Sequence, residues 1–532
     1  MNRPFRLPEL APAILALGVF AVLAFGPHIR HGGFYMDDWS NAAASLQPPG
    51  SPDFGSALET YVDATIYRPV LVVYVPFTYL VFGMHMHYHL AWAVALSVLA
   101  VALFYGVLRT LGVPWIHALL IGALALVFPW SDSTRLWVTA DQITLSITFA
   151  AAGILVALVG LNRGSWRWHA CAVVLYVLSI LSYEVTLPLI ACVGVLYCFR
   201  AGWRAARMRW LADLVAAVAA GIWVGAHTTR TASGLEGNFE HLKQIVEGGE
   251  TLLGRSGLPL GAPHTTLVLL ATVAILGAGV IAYRWFPDRF AEGRKWGLRE
   301  WLFLAFGGLA IAALGWVIFI PADPYYTPTI YGETNRVNGL AAFGIVPFYY
   351  GTFGVLGTLI AQVRVEVRWI AASVTVLLGI ALLMSYTHVL RRHIEIWDVA
   401  YTAERVAISQ LQKQIPRLPH GTTVFGSSYP ANQAPGVPIL ATTWDFDGMV
   451  KMEYNDSTLS AYPILPGRRV GCRDAGVTLE KEEGDVEVTV PYGSIRLLNL
   501  RSGRHSAPRS QRECRRVADS YVPGPLYLST AY

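Results

Sequence analysis

The feature that most constrains this chain is a series of apolar segments, each on the scale needed to cross a lipid bilayer. A helix rising about 1.5 Å per residue needs about 20 apolar residues to traverse a hydrocarbon core of about 30 Å. No water is available there to satisfy a stray N–H or C=O, so helices are the natural solution. Such segments run Leu7 to Phe25, Tyr88 to Leu111, Trp115 to Trp130, Ile143 to Leu161, Cys171 to Tyr183, Thr186 to Phe199, Leu211 to His227, Thr265 to Tyr283, Trp301 to Ile320, Gly339 to Gln362 and Trp369 to Val389. The chain therefore reads as a polytopic α-helical membrane protein with about eleven transmembrane helices. Composition agrees: 14% of its 532 residues are charged, against roughly 25% in soluble domains. The first segment follows the basic stretch Asn2 to Arg6 without a clear small-residue cleavage site, which reads as an uncleaved signal anchor.

Orientation follows from the Lys and Arg that cytoplasmic loops retain. With the N-terminus inside, inner loops carry Arg163 and Arg167, then Arg200, Arg204, Arg207 and Arg209, then Arg284, Arg289, Arg294, Lys295 and Arg299, then Arg364 and Arg368. This distribution implies a multi-pass protein of the bacterial inner (cytoplasmic) membrane, with a cytoplasmic N-terminus and a periplasmic C-terminal domain. Counting Val70 to Gly83 as a further span would invert every later helix. Its short length and Pro69 and Pro76 instead suggest a helix lying in the outer interface or re-entering the membrane. The net charge of +5 does not indicate nucleic acid, because the basic residues concentrate where the orientation rule already accounts for them.

Two domains are expected: residues 1–390, a transmembrane domain with outer loops, and residues 391–532, a small periplasmic α+β domain. The second opens with an amphipathic helix showing Trp397, Tyr401, Ile408, Leu411 and Ile415 on one face and ending at Pro416. Short runs at Thr422 to Phe425, Val486 to Val490 and Ile495 to Leu500 then read as strands. Of five cysteines, Cys171, Cys192 and Cys198 lie in apolar helices, whereas Cys472 and Cys514 lie in the polar tail. A disulfide between the last two is chemically reasonable in an oxidising periplasm.

Chemistry is expected where polar groups meet the outer membrane face. The first outer loop holds Gly32-Gly33-Phe34-Tyr35-Met36-Asp37-Asp38-Trp39-Ser40, with two adjacent carboxylates among glycines and interfacial aromatics. Adjacent carboxylates can divide labour, one serving as general base while the other orients substrate or binds a metal. The bland alternative is a loop turn in which Asp38 caps a helix starting at Trp39. The same loop closes with Tyr67-Arg68-Pro69, and later stretches carry Phe128-Pro129-Trp130, Trp137-Val138-Thr139-Ala140-Asp141 and Leu181-Ser182-Tyr183-Glu184.

This ordered series, as far as about Pro188, resembles the GT-C superfamily of polyprenyl-phosphate-sugar-dependent glycosyltransferases, especially its protein O-mannosyltransferase-like branch. The resemblance implies a GT-C-like transmembrane domain and an inverting enzyme. That enzyme moves a sugar from a polyprenyl-phosphate donor to an acceptor hydroxyl on a glycan, lipid or protein. It further implies that Asp37 or Asp38 is the catalytic carboxylate. Arg68 and Arg336 are candidates for the leaving phosphate, because the planar guanidinium donates two parallel hydrogen bonds. Trp137, Asp141 and Glu184 fall on the family's remaining positions, and the loop bearing Tyr331, Glu333 and Arg336 could cover a phosphosugar. Where those relatives carry Ser-Lys-Glu, this chain has Ser182-Tyr183-Glu184, so a lysine that would assist the phosphate is absent.

Asp37 and Asp38 are also candidate ligands for Mg²⁺ or Mn²⁺, which suit carboxylate and phosphate oxygens. His85, His87 and His89 alternate as metal ligands on a strand would, but beside an apolar helix start they read as interfacial histidines. The competing function is a flippase or transporter of a lipid-linked saccharide. The sequence lacks the internal pseudo-repeat and matched broken helices of common transporter folds.

Overall fold

A computed structural model describes residues 7–48, 53–228, 234–259, 264–285, 296–363, 368–481 and 485–528. The orienting residues Arg289, Arg294, Lys295 and Arg364 and the basic stretch Asn2 to Arg6 lie outside the described residues, as does the side chain of Arg368. Helices dominate, in chain order α1 (Leu10–His31), α2 (Asp37–Leu46), α3 (Phe54–Thr65), α4 (Pro69–Phe82), α5 (Met86–Thr110), α6 (Trp115–Leu126), α7 (Ser133–Leu136), α8 (Asp141–Asn162), α9 (Trp166–Ser182), α10 (Leu187–Cys192), α11 (Gly194–Ala201), α12 (Trp203–His227), α13 (Leu235–Leu252), α14 (Thr265–Trp285), α15 (Leu298–Val317), α16 (Gly339–Val363) and α17 (Arg368–Gln414). Among the described residues, nine helical stretches are long and apolar enough to cross a membrane. Two further segments read as spans from sequence, α6 and α9, have 12 and 17 residues, or about 18 and 26 Å of helix. Helix α4 has 14 residues, about 21 Å, and falls short of a bilayer core. The protein is thus a polytopic helical membrane protein with a small C-terminal sheet region.

The chain forms two compact units, one of residues 1–27, 92–135 and 140–393, the other of residues 28–91, 136–139 and 394–532. The loop region after α1 therefore groups with the C-terminal region, which a single boundary at residue 390 does not show.

In the first unit, α15 and α16 pack antiparallel through small residues. A Cβ on Gly308 would lie 2.5 Å from the Phe348 nitrogen, and one on Gly344 only 2.3 Å from the Ala312 nitrogen. Gly315 and Gly351 repeat these close approaches seven residues further along each helix. A heptad of small residues lets two apolar helices approach backbone to backbone, which is how association gains van der Waals energy when lipid is as apolar as the side chains. Beside this pair lies an apolar cleft of about 200 Å³, bounded by α5, α8, α10, α11, α15 and α16 and lined by side chains such as Phe104, Ile147, Leu196, Phe303, Ile311 and Phe343.

In the second unit, strands β1 (Thr423–Ser427), β2 (Asn432–Ala434), β3 (Val437–Pro438), β4 (Ser460–Pro463), β5 (Arg468–Arg473), β6 (Gly476–Lys481), β7 (Val486–Val490), β8 (Ile495–Asn499) and β9 (His505–Ser506) are joined by α18 (Thr443–Tyr454) and α19 (Gln511–Val517). Four form a sheet in the order β4-β1-β8-β9, in which β1 is parallel to both neighbours, with Val424 beside Ala461 and Phe425 beside Leu497. Helix α18 is the crossover between parallel strands β1 and β4, the connection that parallel pairing requires. Strands β5, β6 and β7 make an antiparallel sheet. The core of this region gathers Phe425, Val477, Leu479, Ile495 and Leu497 with Cys514, which is disulfide-bonded to Cys472.

Candidate functional site

Helix α2 begins at Asp37, so Asp37 and Asp38 occupy its first two positions. Successive residues on a helix point about 100° apart, and the two carboxylates consequently meet different surroundings. Asp38 is fully buried. One of its oxygens accepts from the Tyr35 N–H at 2.9 Å, and the other accepts from the Thr139 N–H at 2.7 Å and the Thr139 hydroxyl at 2.6 Å. Burial pushes this carboxyl up to about 8, against the three donors and with a further upward push from Asp37. Asp38 thus ties the α2 entry to the 136–139 segment, instead of capping a helix that starts at Trp39.

The turn before it is strained. Met36 has φ +46°, a left-handed conformation that costs a non-glycine residue about 1–3 kcal/mol and persists only where surroundings over-determine it. Those surroundings are visible. The buried Trp137 indole donates to the Tyr35 carbonyl at 3.0 Å, the Tyr35 hydroxyl donates to the Trp397 carbonyl at 3.0 Å, and the Tyr79 hydroxyl donates to the Asp38 carbonyl at 2.8 Å.

Asp37 is half-buried, and one of its carboxylate oxygens accepts from the Trp444 indole N–H at 2.6 Å. Helices α2 and α18 run parallel: Asp37 meets Trp444 near one end, and Gln47 meets Asn455 at the other. Between them the backbones nearly touch, since a Cβ on Gly448 would lie 2.5 Å from the carbonyl of Trp39. Two helix N-termini, each carrying partial positive charge, therefore share one end with the acidic side chains, which suits carboxylates.

Asp445 stands in the first turn of α18, where the Thr442 hydroxyl accepts from its N–H at 3.2 Å. Its carboxyl is fully buried, and among the described residues neither oxygen accepts a well-formed hydrogen bond. Burial, then the charges of Asp37 and Asp38, push it well above the usual carboxylate range, with the Ala441 and Thr442 amides opposing weakly. Glu404, on α17, is also buried and within electrostatic reach of Asp38 and Asp445, and one of its oxygens accepts from the Trp39 indole at 3.4 Å. Four carboxyl groups thus crowd one corner of this unit.

The remaining residues singled out from sequence fall into two sets. Arg68 belongs to the unit that holds Asp37 and Asp38. It is buried at the N-cap of α4, which packs on α2, with its guanidinium 5.0 Å from the centre of the Tyr67 ring. Trp137, in the same unit, is 1% exposed, and its indole holds the Tyr35 turn. Asp141, Glu184, Tyr331, Glu333 and Arg336 belong to the other unit. There Arg336 lies 5.5 and 5.6 Å from the ring centres of Tyr325 and Tyr326 and within electrostatic reach of Glu333 and Tyr183. Asp141 is buried in the first turn of α8, Glu184 opens a short turn before α10, and Tyr331 is exposed.

Both Asp38 oxygens are committed to donors inside the unit, which leaves Asp37 as the carboxylate of the pair that could reach a Mg²⁺ or Mn²⁺ ion, and among the described residues no group of three His, Cys, Asp or Glu side chains could hold a metal. The histidines do not converge either, because from Met86 the chain is helical and alternate residues diverge. His89 turns inward, packing against Phe34 and Tyr79, while His87 bonds the Ile29 carbonyl.

Sequence reasoning passed over Trp444, Asp445 and Glu404. The run Thr442-Thr443-Trp444-Asp445 does announce a helix start, with a capping threonine three residues before an acid. Nothing local in it points to a partner four hundred residues upstream. No family model matches the chain, and no curated protein matches it.

Proposed function

We propose that the protein is an inverting membrane glycosyltransferase that takes a sugar from a polyprenyl-phosphate donor at the periplasmic face of the bacterial inner membrane. The observation that carries this reading is the division of the acid pair. Asp38 is buried and fully engaged, which leaves Asp37 as the carboxylate at the surface, at the shared N-termini of α2 and α18. In this mechanism Asp37 accepts the proton of an acceptor hydroxyl as its oxygen attacks the anomeric carbon, and the C–O bond to polyprenyl phosphate breaks with inversion. Proton acceptance by a positioned side chain contributes typically about 10²–10⁴-fold. The leaving phosphate needs cationic donors, for which Arg68, in the same unit as Asp37, is the candidate.

The deciding measurement is sugar transfer by purified protein in nanodiscs from a panel of radiolabelled polyprenyl-phosphate sugars. Transfer by the parent and its loss in Asp37→Asn support the reading. Equal rates in parent and variant refute the assignment of the base, and a parent that consumes no donor refutes the transferase and directs attention to lipid-linked saccharide transport.

A further inference from the structure

Trp444 combines two properties. Its indole N–H is fixed on the Asp37 carboxylate at 2.6 Å, yet the residue remains 53% exposed. Its neighbours explain the fixity. The Thr442 cap sets the first turn of α18, and Gly448 lets that helix sit directly on the Trp39 backbone. The ring is thus held at its polar edge, while much of its large apolar surface remains uncovered beside an acid.

We propose that Trp444 is an aromatic platform for a saccharide ring, contributed to the site by the C-terminal region. A pyranose has the matching duality: axial C–H groups give it an apolar face that an indole can cover, while its hydroxyls project at the rim, where a carboxylate accepts hydrogen bonds. An indole pinned by one hydrogen bond loses little conformational freedom when a ring settles on it, so binding gains from preorganisation. The nearby carboxyls of Asp38 and Asp445 are buried and turned into the protein, so the acid that meets the sugar rim is Asp37. This inference rests on the transferase reading for the identity of the sugar's role, but the binding itself is independent of turnover.

The test is saturation-transfer NMR on the full chain in nanodiscs with methyl α-D-mannopyranoside, methyl β-D-glucopyranoside and methyl β-D-galactopyranoside, without any lipid donor. Parent protein is expected to saturate the C–H protons of one ring face of at least one glycoside. Trp444→Phe, which keeps a ring but no N–H, should retain at least a third of that signal. Trp444→Leu should lose at least five-fold, with unchanged size-exclusion profile and thermal unfolding showing that it folds. Undiminished saturation in Trp444→Leu overturns the proposal, and so does a parent that gives no signal with any of the three. A parent that binds a glycoside through Trp444 but transfers no sugar leaves the platform standing while the transferase reading falls.

Discussion

Two buried acidic sites in this protein handle charge in opposite ways. In the helical unit, Asp132 is fully buried and completely compensated: His393 Nδ1 lies 2.5 Å from one oxygen, the Asn335 amide donates to the other at 2.6 Å, and Arg135 adds positive charge nearby. Asn335 is held in turn by the Ser133 hydroxyl, which donates to it at 2.6 Å. In the second unit, Asp38, Asp445 and Glu404 are equally buried, but the charges that act most strongly on Asp38 and Asp445 are other carboxylates. The first arrangement is what a fold does to carry polar groups through an apolar interior. The second holds acids together at a cost, and such crowding is typical of sites that use their protons.

Four substitutions sharpen or break that contrast. The largest effect is expected for Asp37→Asn, which should lower the sugar-transfer rate about 10²–10⁴-fold while leaving thermal unfolding near that of the parent. A variant that keeps parental turnover would make the acidic corner as structural as the compensated one. Next comes Asp132→Ala, which leaves the buried His393 ring and the Asn335 amide without the carboxylate they bond. Breaking a buried pair typically costs about 3–5 kcal/mol, to be read from denaturant titration, and a loss below about 1 kcal/mol would show that the network carries little. Asn335→Ala should cost about 1–3 kcal/mol by leaving Asp132 and Ser133 each short of a partner.

The smallest effect at low pH, and the most diagnostic, is expected for Asp445→Asn. A carboxyl held above its unfolded value keeps its proton where the unfolded chain has lost it. Stability is then fully present below the unfolded value and declines as pH rises toward the folded one. For Asp38 that window runs from 3.8 to about 8, and the upward push on Asp445 has the same sign. Asparagine at 445 removes its contribution to the decline. At pH 4 the variant should lie within about 1 kcal/mol of the parent, and by pH 8 it should be the more stable of the two. Parallel stability profiles from pH 4 to 8 would show that Asp445 ionises without penalty and that the corner is not crowded in the sense argued.

How far the sequence could be read depended on whether a signal was local. Spans such as α5, α8 and α16 announce themselves, because twenty apolar residues have few alternatives to a helix in a bilayer. The amphipathic continuation through Trp397, Ile408 and Leu411 was legible from its helical periodicity, and those residues are buried on the long helix α17. Asp37-Asp38 stood out as a motif, but its division of roles did not, because a one-residue step on a helix matters only once something lies on each side. The bond from the Trp137 indole to the Tyr35 carbonyl was likewise invisible, because it joins residues about a hundred positions apart.

What the sequence by itself determined was the class of object: a chain too apolar for water, built of membrane-length helices and closed by a polar α+β region. Periodicity, charge bias and capping residues are properties of neighbouring positions, and they survive in a one-dimensional reading. Only the tertiary structure decided which acid is buried, that Gly448 admits α18 to the back of Trp39, and that Trp444 stands on Asp37. The last two depend on contacts between segments about four hundred residues apart and the first on Thr139 about a hundred residues away, all set by packing and desolvation that no local pattern encodes.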